Sequence, residues 1–289
     1  MSNMDLTTLC ANEELSVTET EELLEYIKIK TGMIFAPRLH SLVKKQFDNI
    51  KDISGAKDKN TFLKALTTGL KELESQALFE SLTVHETMFF RDSKYFGFME
   101  QFMIPKLIKE NQMKKSLSIW IAAGSSGQEI YSILIMLYEK FPELKGWNLA
   151  FYSTDLSSKV IDKAKQGIYE THEISRGLPE EYLNKYFNKN DDKHWQVKDT
   201  YRNKITFKTS NLVKDFYADV PSVDIISCRN VLIYFNNETK KDIIERLSKK
   251  ININGFLLLG QVDYINSKVP SENFEYKTEG IFPYYHRLT

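Results

Sequence analysis

The spacing of apolar and polar positions changes near Ser116, and that change divides the chain. Before it, apolar residues recur at helical intervals. Thr18-Glu-Thr-Glu21 has capping-box spacing, Leu23, Leu24 and Ile27 follow on one face, and Gly32 marks a stop. Pro37 fits the first turn of a second helix. Its Leu39, Leu42, Val43, Phe47 and Ile50 fall on one stripe, while Arg38, Lys44, Lys45 and Lys51 fall on the other side. Two further helices are predicted from about 61 to 70 and from about 71 to 81. No strand pattern occurs in this part. Residues 1–81 therefore read as an all-helical N-terminal domain, followed by a linker and the first segment of a second domain over 82–115.

From Ser116 onward, short apolar runs alternate with helical patterns. Strands are predicted at 117–123, 148–154, 205–209, 223–228 and 255–260. Helices are predicted near 128–140, 157–166 and 237–251, and a closing hairpin over Phe274 to Lys277 and Pro283 to Arg287. This alternation implies an α/β domain over 116–289, a Rossmann-like, mostly parallel sheet with right-handed crossovers. Between Gly167 and Ile205 the alternation is broken by a polar, aromatic stretch that includes Asn188-Lys-Asn-Asp-Asp-Lys-His-Trp195. It is longer than an ordinary crossover loop and predicts a small insertion near 186–204.

Composition narrows the classes. The 289 residues carry 39 basic and 39 acidic side chains, a formal net charge of zero, so bulk electrostatics does not favour a nucleic-acid partner. The two cysteines, Cys10 and Cys228, are too few and too far apart for a disulfide framework or a zinc set. No His, Cys or carboxylate cluster has ligand spacing, so no metal is expected. No run approaches a membrane span and no leader pattern is visible. A cytoplasmic protein without membrane insertion is the expectation.

The chemistry concentrates at the strand ends. Ile119-Trp-Ile-Ala-Ala-Gly-Ser-Ser-Gly-Gln-Glu-Ile-Tyr-Ser132 reads as strand, glycine turn and helix. In an open α/β sheet that is where a nucleoside-bearing cofactor sits. Gly124-x-x-Gly127 is neither the three-glycine dinucleotide fingerprint nor a phosphate loop. Glu129 would repel a phosphate but suits a cationic ligand, and S-adenosylmethionine carries an ammonium and a sulfonium and no phosphate. Asp155 ends the second strand, where a carboxylate can accept from both ribose hydroxyls. Asn211 and Leu212 follow the third strand, where an amide can read an adenine edge and an apolar side chain can pack on its face. Arg229, Asn230 and Tyr234 follow the fourth. Each has a plainer reading: a turn for the glycines and Asn211, a helix cap for Asp155 in competition with Ser157, an ion-pair partner for Arg229. Four polar features at four successive strand ends favour the nucleoside site. Upstream, in Leu82-Thr-Val-His-Glu-Thr-Met-Phe-Phe-Arg-Asp92, an arginine lying over such a pocket can bind a carboxylate.

Taken together, Thr87-x-Phe-Phe-Arg-Asp92, Ala-Ala-Gly-Ser-Ser-Gly-Gln-Glu-Ile-Tyr-Ser132, Ser153-Thr-Asp-Leu-Ser157, Asn211-Leu212 and Cys228-Arg-Asn-Val-Leu-Ile-Tyr-Phe235 resemble the CheR-type chemotaxis receptor methyltransferases, in that family's order. The resemblance implies S-adenosylmethionine-dependent methylation of glutamate side chains on the cytoplasmic helical domain of chemoreceptors, with S-adenosylhomocysteine as product. It also implies a helical N-terminal domain and a small inserted β-subdomain; a monomer is expected. By motif match, Thr87, Arg91, Gly124, Glu129, Asp155, Asn211, Leu212, Arg229 and Asn230 would contact the cofactor. Arg91 and Tyr234 would serve the transfer. The chain departs from the family pattern at His85, at Gln128, which stands where a carboxylate is usual, and at Gln261 and Val262. Two other readings fit the strand-end pattern: a catalytically impaired cofactor-binding scaffold that docks a signalling partner, and a methyltransferase acting on another protein or a small acid.

Overall fold

A computed structural model describes residues 15–34, 58–68, 87–214, 220–260 and 272–289. Backbone proximity divides the chain into two units, Met1–Val84 and His85–Thr289. The helices expected at 37–50, with its basic face, and at 71–81 lie outside the described residues, as do His85, Gln261 and Val262.

In the first unit a helix spans Val17–Thr31 and a second spans Lys59–Thr68. The capping box of the first is formed by Ser16 and Glu19, not by Thr18 and Glu21. The Ser16 hydroxyl accepts from Glu19 N at 3.2 Å and the Glu19 carboxylate accepts from Ser16 N at 2.7 Å. Ser16 alone has the extended backbone that a cap requires, so the helix starts before the spacing suggested. Gly32 ends it as expected, at φ 74°, its N–H returning to Lys28 O. Leu23, Ile27 and Phe62 supply buried apolar surface.

The second unit begins with a helical run, Ser93–Phe98, a π turn Met99–Met103, and Ile104–Glu110. Pro105 cannot donate to the regular ladder, and the turn before it widens accordingly. The strands that follow are β1 Ser116–Ala122, β2 Asn148–Asp155, β3 Ile168–Glu170, β4 Phe187–Lys189, β5 His194–Val197, β6 Ile205–Thr209, β7 Val223–Cys228, β8 Ile251–Leu259, β9 Phe274–Glu279 and β10 Phe282–Arg287.

Seven strands form one sheet in the order β6-β2-β1-β7-β8-β10-β9. The pairings among β6, β2, β1, β7 and β8 are parallel; β10 is antiparallel to β8 and β9. The closing hairpin expected from the tail is β9–β10. Strand β7 is buried along its whole length, which is why Val223-Asp-Ile-Ile-Ser-Cys228 reads as a nearly continuous apolar run. Strand β8 starts at Ile251, four residues ahead of the apolar run that signals it, because its register to β7 shifts between Val223 and Ile225. The chain runs from β1 outward to β2 and β6, then returns across β1 to β7 and β8. The switch point therefore lies between the carboxyl ends of β1 and β7.

A separate three-stranded antiparallel sheet, β3-β5-β4, sits in the crossover from β2 to β6. It draws on residues from Ile168 onward, ahead of the 186–204 stretch. Strand β3 has three residues, too few to carry an alternation. The polar stretch itself turns between β4 and β5, with Asp191 Oδ1 accepting from the backbone N–H of Lys193 and His194.

Candidate active site

The loop from β1 to the helix Gln128–Lys140 is built on backbone few residues adopt. Ala123, Ser125 and Gly127 have φ of 70°, 49° and 90°. Gly124 approaches β2 so closely that a Cβ there would lie 2.1 Å from Ser153 Oγ. Its N–H donates to Thr154 O at 2.8 Å. Ser125 N donates to Asp155 Oδ2 at 2.8 Å, and Ser157 N to Asp155 Oδ1 at 3.1 Å. Asp155 is buried and grips the glycine loop, while Ser157 caps the next helix through Val160 N. The competition for that cap is thus settled in favour of Ser157. Ser210 N donates to Asp155 O at 2.8 Å, which sets Asn211 and Leu212 beside the same strand end. Asn211 also does the work of a turn residue, its Oδ1 accepting from Val213 N at 2.8 Å, and Leu212 is buried.

Glu129 lies in the first turn of the helix beyond the loop. Its Oε1 accepts from Ser227 Oγ at 2.7 Å and Tyr95 OH at 3.2 Å, and its Oε2 stands 3.7 Å from Arg229 Nη1. Burial, with the Glu129 anion beside it, holds the Tyr95 phenol well above its ordinary pKa, so Tyr95 stays a hydrogen-bond donor. Arg229 is enclosed. Its Nη2 meets Asp92 Oδ2 at 2.7 Å and its guanidinium lies 3.8 Å over the Tyr95 ring. The ion-pair reading of Arg229 therefore holds, and its partners are two carboxylates of the site.

Arg91 precedes Asp92 and meets the residue after Arg229. With the Asn230 amide turned so that its oxygen faces the guanidinium, Oδ1 accepts from Arg91 Nη1 and Nη2, each at 3.2 Å. Asn230 has φ 60°, a conformation Asn tolerates better than most side chains. Tyr234 closes this group. Burial raises its phenol pKa and the Arg91 cation opposes the rise, leaving a neutral phenol at neutral pH. Thr87 is half-buried at the start of the same segment.

The structure thus brings the predicted residues into two adjoining sets. Gly124, Asp155, Asn211 and Leu212 gather where β1, β2 and β6 end, and Arg91, Asn230 and Tyr234 where β7 ends. Glu129 and Arg229 link the glycine loop to the end of β7. Three members were not singled out from sequence: Asp92, Tyr95 and Ser227. Asp92 carried a signal, a carboxylate directly after the arginine of a motif. Tyr95 lies in no motif, and Ser227 lies inside the strand predicted at 223–228. Gln128 is buried, and its Oε1 accepts from Ser126 Oγ at 2.9 Å, so the departure there leaves the amide oxygen partnered within the loop.

A family model described as CheR methyltransferase, SAM binding domain, matches residues 85–280. Chemotaxis protein methyltransferase 1 of Pseudomonas aeruginosa is 34% identical over 254 residues, covering 85% of this chain and 90% of the relative. Chemotaxis protein methyltransferase Cher2 of Pseudomonas putida is 31% identical over 250 residues, covering 85% and 90%. The chemotaxis protein methyltransferase of Borreliella burgdorferi is 27% identical over 268 residues, covering 92% and 93%. With the family model spanning every strand but β10 and these relatives matching over most of their length, the chain belongs to the CheR methyltransferase family.

Proposed function

We infer that the protein transfers a methyl group from S-adenosylmethionine to glutamate side chains on the cytoplasmic helical domain of chemoreceptors. The observation that carries this reading is the pair of carboxylates, Asp155 and Glu129, flanking a glycine loop that lacks the phosphate-loop lysine, at the switch point, with Arg91 and Tyr234 near the same strand ends. The site also fits the cofactor on a second count. Ser125 Oγ and Ser210 Oγ are shielded from solvent at the same strand ends with no hydrogen-bond partner among the described residues. A buried orphan hydroxyl is costly unless a ligand completes it. Membership of the family and the chemotaxis names of the relatives support the receptor as substrate. Among the described residues no helix is long and apolar enough to cross a membrane, which is compatible with work on a receptor's cytoplasmic part. Nothing in the reading requires more than a monomer.

Asp155 would take the ribose hydroxyls, and Asn211 and Leu212 the adenine. Glu129 would take the ammonium at the amino-acid end, steadied by Arg229, Tyr95 and Ser227. Thr87, Gly124 and Asn230 would line the remainder. Bound there, the cofactor supplies a methyl on a sulfonium, and transfer makes a carboxylate O–C bond as the S–C bond breaks. The substrate glutamate is ionised at neutral pH, so no general base is needed. Arg91 and the neutral Tyr234 phenol would hold its carboxylate in line and replace the water it loses.

Titration calorimetry with S-adenosylmethionine and S-adenosylhomocysteine is the first test. Micromolar binding, about −8 kcal/mol, weakened in Asp155→Ala, is expected. Labelled transfer to a receptor cytoplasmic fragment should then give base-labile methyl esters and vanish when the acceptor glutamates are replaced by alanine. Failure to bind either ligand, or transfer only to other acceptors, would overturn the reading.

A further inference from the structure

The segment that carries Arg91 is bent where an ordinary side chain resists bending. Phe90 has φ 48° and Asp92 φ 71°, two left-handed non-glycine residues on either side of the arginine. Such backbone persists only where its surroundings over-determine it. Four contacts do so here. Arg229 holds Asp92 and Asn230 holds Arg91, as described. Phe90 N donates to Ser132 Oγ at 2.9 Å, and that hydroxyl is itself anchored to Gln128 O at 2.6 Å. The fourth contact comes from the small-sheet region. The Phe89 carbonyl sits so close to Gly177 that a Cβ there would lie 2.0 Å from the oxygen. Gly177 needs no unusual φ, so the lack of a side chain serves the close approach alone. Around it the Phe89 ring meets Tyr169 of β3 at 5.0 Å and Phe187 of β4 at 5.6 Å, edge to face, and the Phe90 ring meets Tyr182 at 5.9 Å.

We propose that Gly177 and Ser132 are positioning residues for the methyl-transfer step: one bounds the Phe89 carbonyl, the other holds the Phe90 N–H, and together they fix where Arg91 points. Neither is placed to touch cofactor or substrate; both act through backbone two residues or fewer from the arginine. The consequence is that the transfer rate depends on how the small-sheet region seats against this segment. The inference rests on the reading of Arg91 as a group that orients the substrate carboxylate.

The test uses the full chain, a receptor cytoplasmic fragment and saturating S-adenosylmethionine. Gly177→Ala pushes the Phe89 carbonyl away; Ser132→Ala removes the Phe90 N partner while adding no atoms, and serves if the first variant folds poorly. Displacing a positioned group by about 1 Å costs up to about 100-fold in rate. A fall in kcat of about 10- to 100-fold is expected for Gly177→Ala and a smaller one for Ser132→Ala, with KM for the receptor and Kd for S-adenosylhomocysteine within about twofold of wild type. In an Arg91→Ala background, neither change should lower kcat further. Wild-type kcat in both single variants, with Arg91→Ala impaired, overturns the positioning role and leaves the proposed function standing. So does an undiminished loss in the Arg91→Ala background. A wild-type enzyme that transfers no methyl to the receptor overturns the proposed function and this inference together.

Discussion

Glu129→Gln separates the two ends of the proposed cofactor. The substitution keeps shape and removes charge. Its amide oxygen can still accept from Ser227 Oγ and Tyr95 OH, now at 2.7 and 3.2 Å from Oε1. Arg229 keeps its closer carboxylate, Asp92 at 2.7 Å, and loses only the one at 3.7 Å. The local fold should therefore survive, with a melting shift of less than about 4 °C, the equivalent of roughly 1 kcal/mol for a unit this large. What is lost is a charge-assisted hydrogen bond to the ligand's ammonium, about 1.5–3 kcal/mol. That corresponds to a 10- to 150-fold rise in Kd for S-adenosylhomocysteine, at about 1.4 kcal/mol per decade. Calorimetry with 5′-methylthioadenosine, which has the nucleoside but no amino-acid end, is the control. Its affinity should stay within about twofold in Glu129→Gln, whereas Asp155→Ala, acting at the ribose, should weaken both ligands. An equal loss for both ligands in Glu129→Gln would refute the assignment, because the charge would then be acting through the loop rather than on the ammonium.

Gly124→Ala forces a Cβ to within 2.1 Å of Ser153 Oγ; a loss of about 1–3 kcal/mol in urea denaturation is expected from such overpacking, together with weaker cofactor binding. Asp224 joins three strands through Lys114 Nζ, Ser118 N and Oγ, and Asn252 Nδ2, at 2.8–3.0 Å. Burial raises its pKa, but the hydrogen bonds from Asn252, Ser118 and Lys114 outweigh burial and leave it lowered. Its stabilisation is thus present above the ordinary carboxylate range and lost as pH falls through the folded value. Asp224→Asn should cost about 1–3 kcal/mol at pH 7, the gap to wild type closing in acid. His286 is buried against Phe256 at 5.1 Å, and burial and the Lys106 and Lys277 charges lower its pKa, opposed by Glu275 and Glu110. The folded state resists its protonation, so stability should fall as pH drops below about 6.5. His286→Phe should flatten that part of the urea-denaturation profile, and an unchanged slope would exclude His286 as its source.

Much of the parallel sheet was legible because its central strands, β1 and β7, are buried on both faces. Leu117 to Ala122 and Val223 to Cys228 are apolar runs bounded by turns, and that pattern has few other solutions. What was misread lies where a local rule has two candidates of equal form. Ser16 and Thr18 both precede a glutamate by three residues, and only backbone conformation chooses between them. Strand β3 and the first residues of β8 are defined by partners elsewhere in the chain, Trp195 opposite Tyr169 and the shifted register against β7.

The site follows the same logic at the level of charge. Strand ends follow from the strand pattern, which is why Gly124, Glu129, Asp155 and Asn211 stand out in the sequence as candidates. Arg91 and Arg229 are equivalent candidates in the sequence, each an arginine beside a polar residue in a motif. The fold separates them. Asp92, 137 residues from Arg229, reaches it at 2.7 Å and with Glu129 encloses it over the Tyr95 ring, which makes it a strut. Arg91 meets the Asn230 amide, and its charge is felt at the Tyr234 phenol. The distinction rests on pairings across the fold, and so does the close approach at Gly177, where a glycine with no motif and no unusual φ is needed only because a carbonyl from residue 89 passes beside it. Short-range patterns report the preferences of a segment; the residues that aim a reacting group are chosen by what the fold brings against that segment from far along the chain.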